Sequence, residues 1–290
     1  MKIQRGGVAY ALAAYGSWGM FPAFWKLLAM VPAIDVLAHR VVWSLVVVAP
    51  VVAWRGRWGE LTAILASRRL ILTLLASTLC ISLNWGIFVW AVGQNRVLEC
   101  SLGYFLNPLV NVALGVAVLG ERLRPLQWAA VALAGGGVVV LAIATGTPPW
   151  VALVLGVSFG IYGLLRKRAP LAPLIGLAVE TGLLVPAALA YLAWRGPVAL
   201  GPDLGTTAIL MAGGIATALP LMWFTAAAQR MPYATLGFFQ YLAPTGHFLL
   251  AVFAYGEPLS AAHLTTFAAI WAAIAVYLVD SWVARRRSTP

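Results

Sequence analysis

Apolar residues run in blocks of about twenty, separated by short segments rich in Gly, Pro or Arg. A helix rising 1.5 Å per residue needs roughly 20 residues to cross a hydrocarbon layer of about 30 Å. By that measure the blocks predict ten membrane-spanning helices, at residues 8–28, 34–54, 71–92, 98–119, 126–144, 150–165, 172–194, 206–228, 233–254 and 260–283. Nowhere does strand-type alternation compete with the helical reading, and no polar stretch is long enough for a soluble domain. The expected fold is an all-α integral membrane protein. Lys2 and Arg5 ahead of the first block, with Ala11-Leu12-Ala13 inside it, imitate a secretory signal. The apolar run continues to about Ala29, too long for a signal core, so it is expected to stay as the first span.

The pattern repeats. SLGYFLNPLVNVALGVAVLGE at 101–121 returns as TLGFFQYLAPTGHFLLAVFAYGE at 235–257. Leu102-Gly103 aligns with Leu236-Gly237, Phe105 with Phe239 and Pro108 with Pro244, and each Pro precedes its Glu by the same interval. The second copy has two extra residues before its Pro. Ser17-Trp18-Gly19 likewise resembles Ser158-Phe159-Gly160, and Phe88 and Ala91 recur as Phe224 and Ala227. The unit is five helices. Five is odd, so the second copy enters the membrane from the other side. The chain therefore divides into repeats at 1–146 and 147–290, an inverted 5+5 arrangement with its binding site expected near the midplane between halves.

Composition agrees with the membrane reading. Of 290 residues 62% are hydrophobic and 9% charged, against about a quarter charged in soluble domains. The net charge of +11 lies in short segments between spans rather than on a solvated basic face, so no nucleic-acid partner is expected. Fifteen of the 19 Lys and Arg gather on one side, Arg96 and Arg195 fall on the other, and Lys26 and Arg40 lie within spans. The positive-inside rule then places both termini in the cytoplasm. Cys80 and Cys100 fall at different depths and are expected as free thiols. Several chemistries have no visible set. There is no Gly-rich loop ending in Lys for ATP, no HExxH or Cys-His metal spacing, and no G-x-S-x-G elbow. Neither catalysis, a cofactor nor a metal is expected.

The costliest groups to bury are His39 and Arg40 in the second span and Glu180 in the seventh, at about 2.5–3.5 kcal/mol for an ionised residue at a helix centre. The repeat sets Arg40 opposite Glu180. One reading makes Arg40 an anion anchor and Glu180 a proton or cation acceptor in a central cavity; the other makes them a charge pair that locks helix packing. Asn84 and Trp85, with Tyr104, Asn107 and Asn111, form a second group. Asn107 and Asn111 share a helix face, and Pro108 frees the carbonyl of Tyr104. Gln240 and Tyr241 should face them from the other half. Either set could instead glue helices together.

Other residues read structurally. Lys26 and Trp25 look like interfacial anchors, and Asp280 is either solvated or paired with Arg285. Gly120-Glu121 and Gly256-Glu257 should end their helices, each Glu accepting from the amides that open the next helix. Gly135-Gly136-Gly137 reads as close packing, with a homodimer contact as one version.

Longer motifs are familiar. HRVVWS at 39–44, NWGIFVWAV at 84–92, SLGYFLNPLVN at 101–111, GERLRPLQW at 120–128, YGLLRKR at 162–168, FTAAAQR at 224–230 and TLGFFQY at 235–241 resemble the RarD group in the EamA branch of the drug/metabolite transporter superfamily. The likeness runs nearly the whole chain. It implies ten helices, two EamA repeats, a bacterial inner-membrane location and export of small metabolites or drugs. With no ATP site, the driving force would be an ion or solute gradient, so a small solute, protons and the bilayer are the expected partners. The rival readings are a non-transporting membrane assembly or regulatory protein, and an intramembrane enzyme acting on lipids. The family supplies no binding residue to carry over, so the candidates above rest on the residues alone.

Overall fold

The computed structural model describes residues 6–120, 123–168, 171–228, 230 and 239–287. Among these there is no strand, and helical elements fall on all ten apolar blocks, the ninth being described only from 239 on. The helices are α1 (Gly7–Gly19), α2 (Phe21–Lys26), α3 (Ala33–Trp54), α4 (Trp58–Leu65), α5 (Arg68–Gly93), α6 (Val97–Leu119), α7 (Pro125–Thr145), α8 (Trp150–Arg168), α9 (Pro173–Arg195), α10 (Leu204–Ala228), α11 (Leu242–Leu249) and α12 (Ala261–Arg287). Five of the described helices are long and apolar enough to cross a membrane. The count rises to six when the bent pair Val97–Asn107 and Leu109–Val118, meeting at 43°, is taken as one span. Three further apolar segments are shorter: Trp150–Arg166, Leu242–Ala254 and Ala261–Tyr277.

Two features depart from unbroken spans. The first block splits at Met20, because Pro22 opens α2 and has no N–H for the carbonyl of Trp18. His247 Nε2 donates to that carbonyl at 2.9 Å, which ties α11 to the break. The segment after the second span carries an extra amphipathic turn, α4, with Arg57 and Glu60 paired on its exposed side.

Helix ends follow their chemistry. Gly120 and Gly256 take φ of +66° and +61°, the left-handed conformation that ends a helix cheaply only at glycine. Glu257 departs from expectation. Its carboxylate accepts from Val97 N and Leu98 N, both at 2.7 Å. Those amides open α6, in the other half of the sequence, and not the helix that follows Glu257. A carboxylate fits there because the first N–H groups of a helix have no partner inside it. Glu121 lies outside the described residues. Outside the spans, Asp203 caps α10: Thr206 N–H and hydroxyl both donate to it, holding its carboxyl below the ordinary value.

Several other anchors prove to be ties within the bundle. Lys26 Nζ donates to the Val92 carbonyl at 3.1 Å and to Asn95 Oδ1. Trp25 is 1% exposed, so it is a core residue and not an interfacial one. Asp280 pairs with Arg124 at 2.6 Å, joining the ends of α12 and α7. Between the same helices Thr266 donates to the Gly137 carbonyl at 2.8 Å, while Gly135 and Gly136 meet nothing within 4 Å. Gly137 thus packs inside the chain. Asp35, fully buried, is held by Arg195 at 2.8 Å and by the Tyr191 hydroxyl at 2.6 Å. Cys80 and Cys100 are free thiols.

Close approach brings the remaining elements together. Gly246 of α11 lies so near Gly19 that an added Cβ would sit 2.8 Å from the Gly19 Cα. Helix α3 packs on α9 and α10, α5 on α8, and α6 on α8. These contacts enclose the cavity.

Candidate functional site

A cavity of about 930 Å³ lies among α1, α2, α3, α5, α6, α8, α9, α10 and α11. That volume falls in the range that holds metabolite- or drug-sized molecules. Tyr15, Trp18, Phe21, Trp85, Phe88, Phe159 and Phe224 give it largely aromatic walls. Eight of the ten residues singled out from the sequence line it: Arg40, Asn84, Trp85, Tyr104, Asn107, Asn111, Glu180 and Gln240.

Arg40 projects from α3 and is 3% exposed. Its Nε donates to Thr217 Oγ1 on α10 at 2.9 Å. The guanidinium carbon lies 4.1 Å from the centre of the Trp85 ring and 5.0 Å from that of Trp25. Arginine stacks this way because a weakly hydrated planar cation gains from an indole face. No described carboxylate comes within 4.0 Å of it. Of the two sequence readings, the direct pair with Glu180 is therefore absent.

Glu180 has partners of its own. Ser77 on α5 donates to Oε1 at 2.9 Å, and Tyr162 on α8 lies 3.4 Å from Oε2. Arg166 Nη1 is 3.9 Å from Oε1, and its Nη2 donates to the Leu171 carbonyl at 3.2 Å. The guanidinium occupies the space where Gly176 has no side chain; an added Cβ there would overlap it. Tyr162 and Arg166 were missed as site residues because Arg166 reads in sequence as one of the loop cations. Its one signal was its distance along α8 from Tyr162, which puts both on one helix face.

Asn84 joins three helices. Its Nδ2 donates to the Leu155 carbonyl at 2.9 Å and to Ser158 Oγ at 3.1 Å, and its Oδ1 accepts the Tyr104 hydroxyl at 2.9 Å. This buried amide is occupied, so it fixes the wall. Asn107 is different: it is buried and its Oδ1 has no partner. Asn111 and Gln240 reach the cavity less deeply buried.

His39 and Tyr241 lie elsewhere. His39 Nε2 donates to the Ala199 carbonyl at 3.0 Å while Trp43 Nε1 donates to its Nδ1 at 3.2 Å, so both ring nitrogens are used in packing. Tyr241 stacks on Phe105 with ring centres 6.3 Å apart, in the neighbouring core. In place of His39 the cavity holds His247, packed against the Phe88 and Tyr104 rings, with Nδ1 buried and unpartnered.

Among the described residues no cluster of His, Cys, Asp or Glu could hold a metal ion. What the arrangement offers is a recess with aromatic walls, one uncompensated cation and one occupied carboxylate.

Comparison with known proteins gives this recess a context. The profile of the EamA-like transporter family matches residues 5–143. An uncharacterized transporter of Pseudomonas aeruginosa is 48% identical over 290 residues, covering 98% of this chain and 96% of that protein. Protein RarD of Escherichia coli is 44% identical over 292 residues, covering 99% of both. A solved crystal structure at 21% identity superposes with a TM-score of 0.59 over 93% of this chain and 96% of that one, a likeness of fold alone. The chain is a multi-pass membrane protein, and it belongs to the EamA-like transporter family, among its RarD proteins.

Proposed function

We propose that the protein is a secondary exporter of small metabolites or amphipathic drugs, working by alternating access between two inverted five-helix halves, 1–146 and 147–290. The observation that carries this is the cavity itself. Both halves line it, with Arg40, Asn84 and Tyr104 from one and Tyr162, Glu180 and Gln240 from the other. A binding recess between two halves is what a rocking mechanism requires.

The packing supports a repeat of two five-helix halves. If the first five spans exchange with the second five, the contact of α5 with α8 corresponds to that of α1 with α10, and both occur. Contacts of α3 with α9, α6 with α11 and α7 with α12 then map onto themselves, and these occur too. Ten spans and cytoplasmic termini follow in this reading from the ten helical blocks and the distribution of basic residues.

The cavity lining reaches Leu164, Arg166 and Leu171, where α8 runs into a basic segment. Toward the other face lie the ties Glu257 to Val97 and Leu98 and Lys26 to Val92 and Asn95. In the proposed orientation this is an inward-facing state with its outer side latched. Glu180 is then placed to take a proton from the cytoplasmic side, and the pH gradient is a candidate driving force.

The test is reconstitution. Purified protein in liposomes, given a panel of amphenicols, amino acids and other metabolites, should move at least one solute above the rate of empty vesicles, faster under a pH gradient if protons are coupled. No flux across the panel, with or without the gradient, overturns the reading. Accumulation of the solute in the cytoplasm of a deletion strain checks the direction.

A further inference from the structure

The guanidinium of Arg40 is held on several sides and left free on one. Thr217 accepts its Nε–H, and the Thr217 hydroxyl in turn donates to the Gly213 carbonyl at 2.9 Å, which fixes that oxygen as an acceptor. The guanidinium carbon sits over the Trp85 ring. The two Nη groups have no hydrogen-bond partner among the described residues, yet the residue lines the cavity. A planar guanidinium keeps its edge donors arranged as a fork, the shape that a planar carboxylate completes with two parallel bonds.

The other charges of the lining compensate each other, Arg166 facing Glu180 at 3.9 Å. Arg40 is thus the one charge of the lining without an opposite charge within 4.0 Å among the described residues. A buried cation without a counter-ion is expensive in a membrane protein. Beside it stand apolar and aromatic surfaces, Phe21 with its ring centre 5.9 Å from the guanidinium carbon, and Phe88.

Building on the proposal that this cavity is the transport site, we propose that it takes small monocarboxylates with an aromatic or branched apolar body, the carboxylate forked on Arg40 and the body against Phe21, Trp85 and Phe88. A single free cation favours a single negative charge, since a phosphate dianion would keep one charge uncompensated. The rest of the wall is mainly apolar, and its other guanidinium, Arg166, has Glu180 as counter-charge at 3.9 Å while its Nη1 makes no hydrogen bond.

The test uses the full-length protein in lipid nanodiscs and titration calorimetry at neutral pH. The probes are phenylacetate, its neutral isostere phenylacetamide, the cation phenethylamine, and phenylphosphonate. Phenylacetate should bind about tenfold or more tightly than the amide, the scale of a charged hydrogen bond, with the amine weakest. Arg40→Gln should level acid and amide, and Arg40→Lys, which keeps the charge and loses the fork, should fall between. Equal binding of amide and acid, preference for the amine or the phosphonate, or no binding of the acid at millimolar concentration overturns the proposal. The comparison among probes on the unaltered protein decides the matter even if Arg40→Gln fails to fold. Failure of transport is a separate outcome: phenylacetate that binds but never crosses in liposomes leaves this site standing and removes the exporter. Solutes that cross without competition from phenylacetate do the reverse.

Discussion

The Arg40 and Glu180 corners hold aligned residues of the two sequence repeats, on helices that pack against each other, yet they are built in opposite ways. Arg40 is held by aromatic faces and one hydroxyl, and its Nη donors have no described partner. Glu180 is surrounded by a serine hydroxyl, a tyrosine hydroxyl and a cation. One corner leaves donors without a partner among the described residues. The other has its carboxylate occupied from α5 and α8 and joins those helices to α9. A charge in a membrane helix is a functional candidate by default, but its partners decide whether it binds a ligand or binds the fold.

Substitution should separate the two corners. The largest expected effect is on flux in Arg40→Gln, a drop of about a hundredfold at matched protein amount, because a bound anion would lose its only charged partner. Its melting temperature should change little. Glu180→Gln should reverse the pattern, with flux lower by about tenfold and the melting temperature down by several degrees, since Arg166 would lose its counter-charge. Equal losses on both measures would erase the distinction.

A smaller effect tests the completeness of the Glu180 corner through its backbone. Gly176→Ala would set a methyl where the Arg166 guanidinium sits. Thermal unfolding should show a loss of about 1–3 kcal/mol, the usual cost of overpacking. Gly182, on the same helix, meets nothing within 4 Å. There the alanine variant should be neutral or slightly stabilising, by less than about 1 kcal/mol. The smallest effect belongs to Arg57→Ala. Its partner Glu60 is exposed on α4, and neither flux nor melting temperature should move measurably, as is usual for surface pairs.

Much of this was legible in the residues. Block length placed the helices, because the bilayer fixes how many residues a span needs. Eight of ten candidates reached the cavity since polar groups in apolar blocks must turn inward. His39 and Tyr241 lie away from the cavity for a shared reason. Helical spacing says which face a residue occupies, but not which neighbour covers that face. Trp43 and Ala199 cover His39, and Phe105 covers Tyr241. Glu257 departs from expectation likewise, because the amides it accepts belong to a helix 160 residues away in sequence.

The sequence by itself determined the class of protein, the positions of its helices and the polar residues that had to be hidden from lipid. These follow from local quantities, length and polarity, set by the membrane as solvent. Only the tertiary structure decided which hidden groups find partners inside the chain. That choice depends on which helices touch, and it completed Glu180 with Ser77, Tyr162 and Arg166 while giving Arg40 aromatic faces and a single hydroxyl.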